Sequence, residues 1–194
     1  MAATRFEQAI VAIDAANADD PNTIEVRGRV RPKELAHAEL MVEWLDRLDP
    51  DADDAQRLAA RAHHLRRWSL PRASYPDGRA GYLRWRTALR KQHAEEVAGI
   101  LEEVGYDGDT IARVQAIVRK EGLGSDPGVQ AHEDALCLVF LETQLAALVD
   151  DLDDGKMLDV IKKTAAKMSL PALALVADLP MRESDRALIE RALG

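Results

Sequence analysis

At 194 residues, 47% hydrophobic and 31% charged, the chain has the length of one folded domain and enough apolar material for a real core, which excludes extended disorder. No stretch approaches the ~20 consecutive apolar residues of a membrane span. The acids in MAATRFEQAIVAIDAANADD are foreign to a secretory or transit leader, so a cytoplasmic location is expected. A single cysteine, Cys137, excludes an internal disulfide and any cysteine-clustered metal site, leaving His, Asp and Glu as ligands.

The net charge of −8 has the wrong sign for a general nucleic-acid coat. It is unevenly spread. Residues 61–91 hold Arg61, Arg66, Arg67, Arg72, Arg79, Arg84, Arg86, Arg90 and Lys91 against Asp77 alone, so 17 of the 26 bases and 33 of the 34 acids lie elsewhere. An acidic body with one cationic segment points to a focused site for an anionic small molecule.

Apolar spacing predicts an all-α fold, a compact multi-helix bundle, because it runs at helical period nearly throughout. A first helix is expected over 4–18, stopped by Asp19, Asp20 and Pro21. Residues 23–31 (TIEVRGRVR) have extended character but no partner strand elsewhere, and read as a loop. Pro32 starts a second helix to Leu48. A third is expected over 52–68, closed by the turn-rich SLPRASYPDG, and a fourth over 81–104. A fifth follows over 110–120, and a sixth runs from Pro127 to about Val149. The last 40 or so residues suggest two or three short helices separated by Pro171 and Pro180. The chain reads as one domain over 1–194, with a core bundle in 1–150 and short helices in 151–194 packed on it.

All five histidines fall between residues 37 and 132, and the helix wheel decides what each faces. His93 sits in the stripe Trp85, Leu89, Val97, Ile100, Val104, and His37 shares a face with Leu40, Met41, Trp44 and Leu48. His63 and His64 point about 100° apart and can line one cavity. Glu133 and Asp134 open a sixth helix that is otherwise apolar almost all round, and burying such carboxylates requires cations, hydrogen bonds or a metal. Taken singly, each residue also reads as a satisfied core histidine or an acidic first helical turn. Taken together, on four helices, they make a candidate metal site: His37, His63, His64, His93 and Asp134 as ligands, with Glu133 as general base or anchor. His132 reads as a bystander on the opposite side of its helix.

The order of these residues, a His on one helix, an adjacent pair about 26 residues on and an Asp near the start of a later long helix, resembles the metal-ligand pattern of HD-domain phosphohydrolases. That resemblance implies a divalent ion and phosphoester hydrolysis. The second His of the pair stands where that superfamily has Asp. A resemblance covering more of the chain rests on FEQAIVAIDAANADDPN, HLRRWSLPRASYPDGRAGYLRWRTALRKQHA, KEGLGSDPGVQAHEDALCLVFLE and KTAAKMS. These are similar to the family catalogued as domain of unknown function 4202, a label that implies no activity.

The segment RRWSLPRASYPDGRAGYLRWR joins the histidine pair to the helix of His93 and holds Trp68, Trp85, Tyr75 and Tyr82, two of three tryptophans and two of three tyrosines. Interleaved Arg and aromatic side chains suit a phosphorylated ligand with a flat group. Arg67, Arg72, Arg79 and Arg86 are the candidate phosphate ligands, joined by Lys163 and Lys167 one helical turn apart. Gly78 and Gly81 would let backbone amides approach an anion.

These readings converge on a metal-dependent hydrolase of a phosphoester or nucleotide, using manganese, cobalt, zinc or iron. The expected partner is a phosphorylated small molecule or nucleotide, with no membrane and no general nucleic-acid binding. Two alternatives remain: a helical module that binds an anionic metabolite or nucleic-acid end, and a metal-dependent oxidative enzyme.

Overall fold

Thr4 opens α1 (Arg5–Ala18) with a capping box: its hydroxyl accepts from the Glu7 amide (3.2 Å) while the Glu7 carboxylate accepts from the Thr4 amide (2.7 Å). Two donors that the first turn leaves free are thereby satisfied. The computed structural model describes residues 3–151 and 153–194, and these form an all-α fold with one small hairpin.

The hairpin is β1 (Thr23–Val26) paired antiparallel with β2 (Arg29–Pro32), with Ile24 opposite Arg31 and Glu25 opposite Val30. The expected loop is therefore a strand pair, and the partner strand lies within the same stretch. Arg27 and Gly28 both take positive φ, 51° and 77°, as a tight two-residue hairpin turn requires. The chain then enters α2 (Lys33–Leu48), whose N-cap, Pro32, has no side chain to offer the first turn. Asp20 supplies it instead. Its buried carboxylate accepts from the Glu34 amide (3.0 Å) and the Asn22 amide (2.9 Å), which fixes Glu34 at the start of α2.

The third helix, α3 (Asp54–Arg61), is shorter than its periodicity suggests. Residues 62–66 turn away, and Arg66 adopts a left-handed φ of 48° with its amide donating to Asn17 Oδ1 (3.1 Å). Single 3-10 turns at Arg67–Ser69 and Arg72–Ser74 lead to α4 (Gly78–Val104), which begins three residues before the expected start. A Cβ on Gly81 would lie 1.8 Å from the Pro76 carbonyl oxygen, so close packing against the preceding loop requires this glycine.

α5 (Gly108–Arg119) ends at Lys120, which has a left-handed φ of 63°. α6 (Pro127–Thr143) is capped by Asp126 and stops at Gln144, so the expected sixth helix is two, the second being α7 (Leu145–Asp151). Three further short helices follow: α8 (Asp154–Ala165), α9 (Leu170–Leu175) and α10 (Glu183–Leu193). Pro171 lies in the first turn of α9, where its missing amide costs nothing.

Two apolar clusters hold the helices. One joins α2 and α6 to the C-terminal helices through Met41, Leu45, Leu138, Met157, Ile161 and Leu188. The other joins α1, α3, α4 and α5 through Ile13, Leu58, Val97, Leu101, Val114 and Ile117. The histidines bridge elements of both. Among the described residues, no helix is long and apolar enough to cross a membrane.

Candidate metal centre and cationic pocket

Glu34 and His37, three residues apart on α2, share a helix face, and the turn after α3 brings His64 to them. Ligand atoms of these three side chains all lie within 4.8 Å of one another. His64 Nδ1 is 3.1 Å and His37 Nδ1 3.4 Å from the same Glu34 oxygen, Oε2, while Arg67 Nε is 4.0 Å from Oε1. Burial opposes the charge on Glu34, yet the adjoining imidazoles outweigh it and hold the carboxyl well below its ordinary range.

Proton accounting shows how the centre is poised. The Thr143 hydroxyl gives its one proton to the Val139 carbonyl (2.7 Å). It can therefore only accept from His37 Nε2, 3.3 Å away. His37 then turns its Nδ1 toward the Glu34 carboxylate, an arrangement that a cation between them would satisfy. An outer hydroxyl that fixes one ring nitrogen while the other faces an acid is the usual setting of a metal-ligating histidine. The residues fit a divalent ion.

The remaining imidazoles extend from this point. Ring centroids are separated by 6.3 Å for His37 and His64, 4.1 Å for His64 and His63, 4.8 Å for His63 and His132, and 5.8 Å for His64 and His93. His93 Nδ1–H donates to the Leu65 carbonyl (2.8 Å), which leaves Nε2 as a buried lone pair with no partner among the described residues. His63 Nδ1 and His132 Nε2 share one proton across 2.8 Å, and their other nitrogens are likewise unpartnered and buried. His132 is thus a member of the cluster, in contrast to the expectation that it faces away. The start of α6 is buried nearly all round, so the wheel offers it no solvent side.

His63, His64 and His93 form one wall of a cavity of about 360 Å³ between α4, α6 and α8. Among the described residues, Arg67, Arg86, Arg90, Lys120, Lys163 and Lys167 line it with one carboxylate, Glu133, and Leu136, Phe140 and Val160 give it an apolar side. Of the six expected anion ligands, Arg67, Arg86, Lys163 and Lys167 line this cavity. Arg72 instead donates to the carbonyls of Tyr75 (2.8 Å) and Pro76 (2.9 Å) and shapes the loop, while Arg79 is exposed outside the cavity.

The two carboxylates of α6 do not join the imidazoles. Asp134 accepts from the Ser169 amide (2.8 Å), the Ser169 hydroxyl (2.5 Å) and Gln130 Nε2 (3.0 Å), and so ties α6 to the cap of α9. Glu133 is ion-paired with Lys120, with Lys167 Nζ at 3.9 Å. The carboxylate beside the histidines is Glu34, and the expected metal set of His37, His63, His64, His93 and Asp134 changes accordingly. Its sequence signal was the Glu-x-x-His spacing on α2. Arg90 was legible as the residue one turn beyond Arg86, on the face of α4 that also carries His93. Lys120 carried no local signal.

Burial pushes His64 and His132 down to about 3 and His93 to about 4, and holds His63 well below the ordinary 6.5. Nearby cations, Arg67 for His64 and His93 and Lys120 for His132, add to the effect. Folded rings thus stay neutral at pH values where unfolded ones take up a proton. Stability is therefore expected to be full above about pH 6.5 and to fall progressively below it, as unfolded rings take up protons that the buried ones refuse. Urea unfolding of metal-free protein at pH 7, 6 and 5 measures this, and a flat profile would contradict the buried neutral cluster.

No curated protein and no solved structure matches the chain. A family model does, over residues 7–189, the span from α1 into α10 that carries every residue of the cluster and of the cavity. By that match the chain belongs to the family described as domain of unknown function (DUF4202).

Proposed function

We propose that this protein is a metal-dependent hydrolase of phosphoesters, with Glu34, His37 and His64 as the metal-holding residues and the adjoining cavity as the substrate site. The observation that carries this reading is the shared wall: imidazoles, one of them directly beside Glu34, open onto the same cavity as six cations. The sequence order His37, then His63–His64, supports an HD-domain-like arrangement in which Glu34 takes the part of the missing Asp. A divalent ion there would supply Lewis-acid polarisation of a phosphoryl oxygen.

The chain's own groups account for the rest. Arg67, which stacks over Trp85 with its guanidinium carbon 4.8 Å from the ring centroid, is held rigid beside Glu34 and can pair two phosphoryl oxygens. Arg86, bonded to the Tyr82 hydroxyl (3.1 Å), offers a second such fork. His93 Nε2, fixed as a lone pair by the bond from Nδ1 to Leu65, suits a ligand or an acceptor of a water proton. With the ring lowered to about 4, the ligand role fits better, since a general base works best near ambient pH. Glu133 then organises Lys120 and Lys167.

Protein purified without added metal and analysed by elemental spectrometry tests the reading. Retained manganese, cobalt or zinc, with hydrolysis of p-nitrophenyl phosphate or a 5′-nucleotide that chelator removes and metal restores, is the expected outcome. Retained iron without hydrolysis would move the reading to oxidative chemistry. Anion binding that survives chelator, with no metal and no turnover, would leave a binding module.

A further inference from the structure

The cavity is too cationic for one phosphate group. Among the described residues, six cations surround one carboxylate, and that carboxylate, Glu133, is shared by Lys120 and Lys167. Glu34 draws on Arg67 alone among them, at 4.0 Å, and Lys163 has only an exposed contact to Asp159 at 3.4 Å. Among the described residues, Arg86 and Arg90 have no carboxylate within ion-pair distance. A phosphate monoester supplies a charge of about −1.5 to −2 near neutral pH, which leaves part of this excess uncompensated.

The cations come from several elements around one cavity. Arg67 lies beside the Glu34 centre, Arg86 and Arg90 are one turn apart on α4, Lys120 caps α5 and contacts Glu133, and Lys163 of α8 and Lys167 just after it complete the set. Like charges interact among them. Burial is the main cause that lowers both Arg67 and Lys120, but the positive charge of Arg86 acts on each, and that of Arg90 on Lys120. A protein that concentrates such repulsion in a cavity of ligand size, within the usual range of roughly 300–1,000 Å³, gains by binding an extended anion.

We infer that the cavity takes a ligand bearing a chain of two or more linked phosphate groups, held by Arg67 at the imidazole wall together with Arg86, Arg90, Lys120, Lys163 and Lys167. The inference rests on the reading of this cavity as the substrate site and names the class of substrate. A free polyphosphate and a nucleoside polyphosphate share this chemistry. They differ in whether a flat group meets the apolar side formed by Leu136, Phe140 and Val160.

Calorimetric titration in chelator at fixed ionic strength, with orthophosphate, inorganic tripolyphosphate and a nucleoside triphosphate, tests it without requiring turnover. Tripolyphosphate is expected to bind at least tenfold more tightly than orthophosphate. The double variant K163A/K167A, at two exposed positions, should lose about tenfold for tripolyphosphate and less than twofold for orthophosphate. K162A, on the same helix but outside the cavity, should lose neither. Tighter binding of the nucleoside triphosphate than of tripolyphosphate assigns the source as a nucleotide, and equal binding assigns a phosphate chain alone. Equal affinities for orthophosphate and tripolyphosphate, or a double variant that binds tripolyphosphate like the parent, overturn the inference. Metal-dependent hydrolysis of simple monoesters alongside such a result would leave the hydrolase reading standing by itself.

Discussion

Glu34→Gln is expected to strip the purified protein of its metal and to reduce phosphoester hydrolysis by at least about 100-fold, since even the outer partners of a metal centre are worth about 10- to 100-fold. The substitution keeps the shape of a buried side chain and the cap that Asp20 gives to the Glu34 amide. It removes the charge toward which His37 and His64 both turn. Fold stability should drop by only about 1.5–3 kcal/mol, the worth of a hydrogen bond to a charged group. Asp134→Asn is the informative contrast. Asp134 anchors Ser169 and Gln130, so this variant should lose stability and retain metal. Elemental analysis of both variants, with urea unfolding as the control for folding, decides the matter. Metal content unchanged in the Glu34 variant and lost in the Asp134 variant would return the site to α6.

That contrast also marks what the sequence could convey. Helical class followed from period alone, because Met41 and Leu89 lie on stripes that bury whatever tertiary contacts form. His37 and His93 were placed inside by the same argument, and both are buried. The wheel failed at α6, where Val129, His132, Glu133 and Asp134 are all buried. A helix enclosed on every side has no polar face to betray direction, so it could not tell the carboxylate tied to Ser169 from one that meets histidine. The break after α3 was illegible for a different reason. It depends on Asn17, 49 residues earlier, bonding the Arg66 amide, and that contact exists only once α1 has packed. His64 reaches Glu34 because the helix stops there. The hairpin shows the local counterpart: the two strands pair with each other across Arg27 and Gly28, so the stretch needs no partner strand elsewhere in the chain.

Lys120→Met should be the most destabilising single change in the cavity, costing about 3–5 kcal/mol, because it strands a carboxylate that protein surrounds. The Lys120 and Glu133 side chains are 7% and 4% exposed. Lys167, 3.9 Å away and half exposed, offers Glu133 only partial relief, so the loss should approach the lower figure. Glu133→Gln is expected to destabilise as well, because it leaves the buried Lys120 ammonium without its carboxylate, a cost that release of its proton caps. In the double variant K120M/E133Q neither charge is stranded, and stability should return to within about 1–2 kcal/mol of the parent, a coupling energy at the upper end of that seen for contacting pairs. The cycle also decides the role of Glu133. If Glu133 holds Lys120 and Lys167 against the anion, E133Q should raise KM and leave kcat within a few-fold of the parent. If it moves a proton, kcat should collapse, and the Lys120 substitution should not restore it.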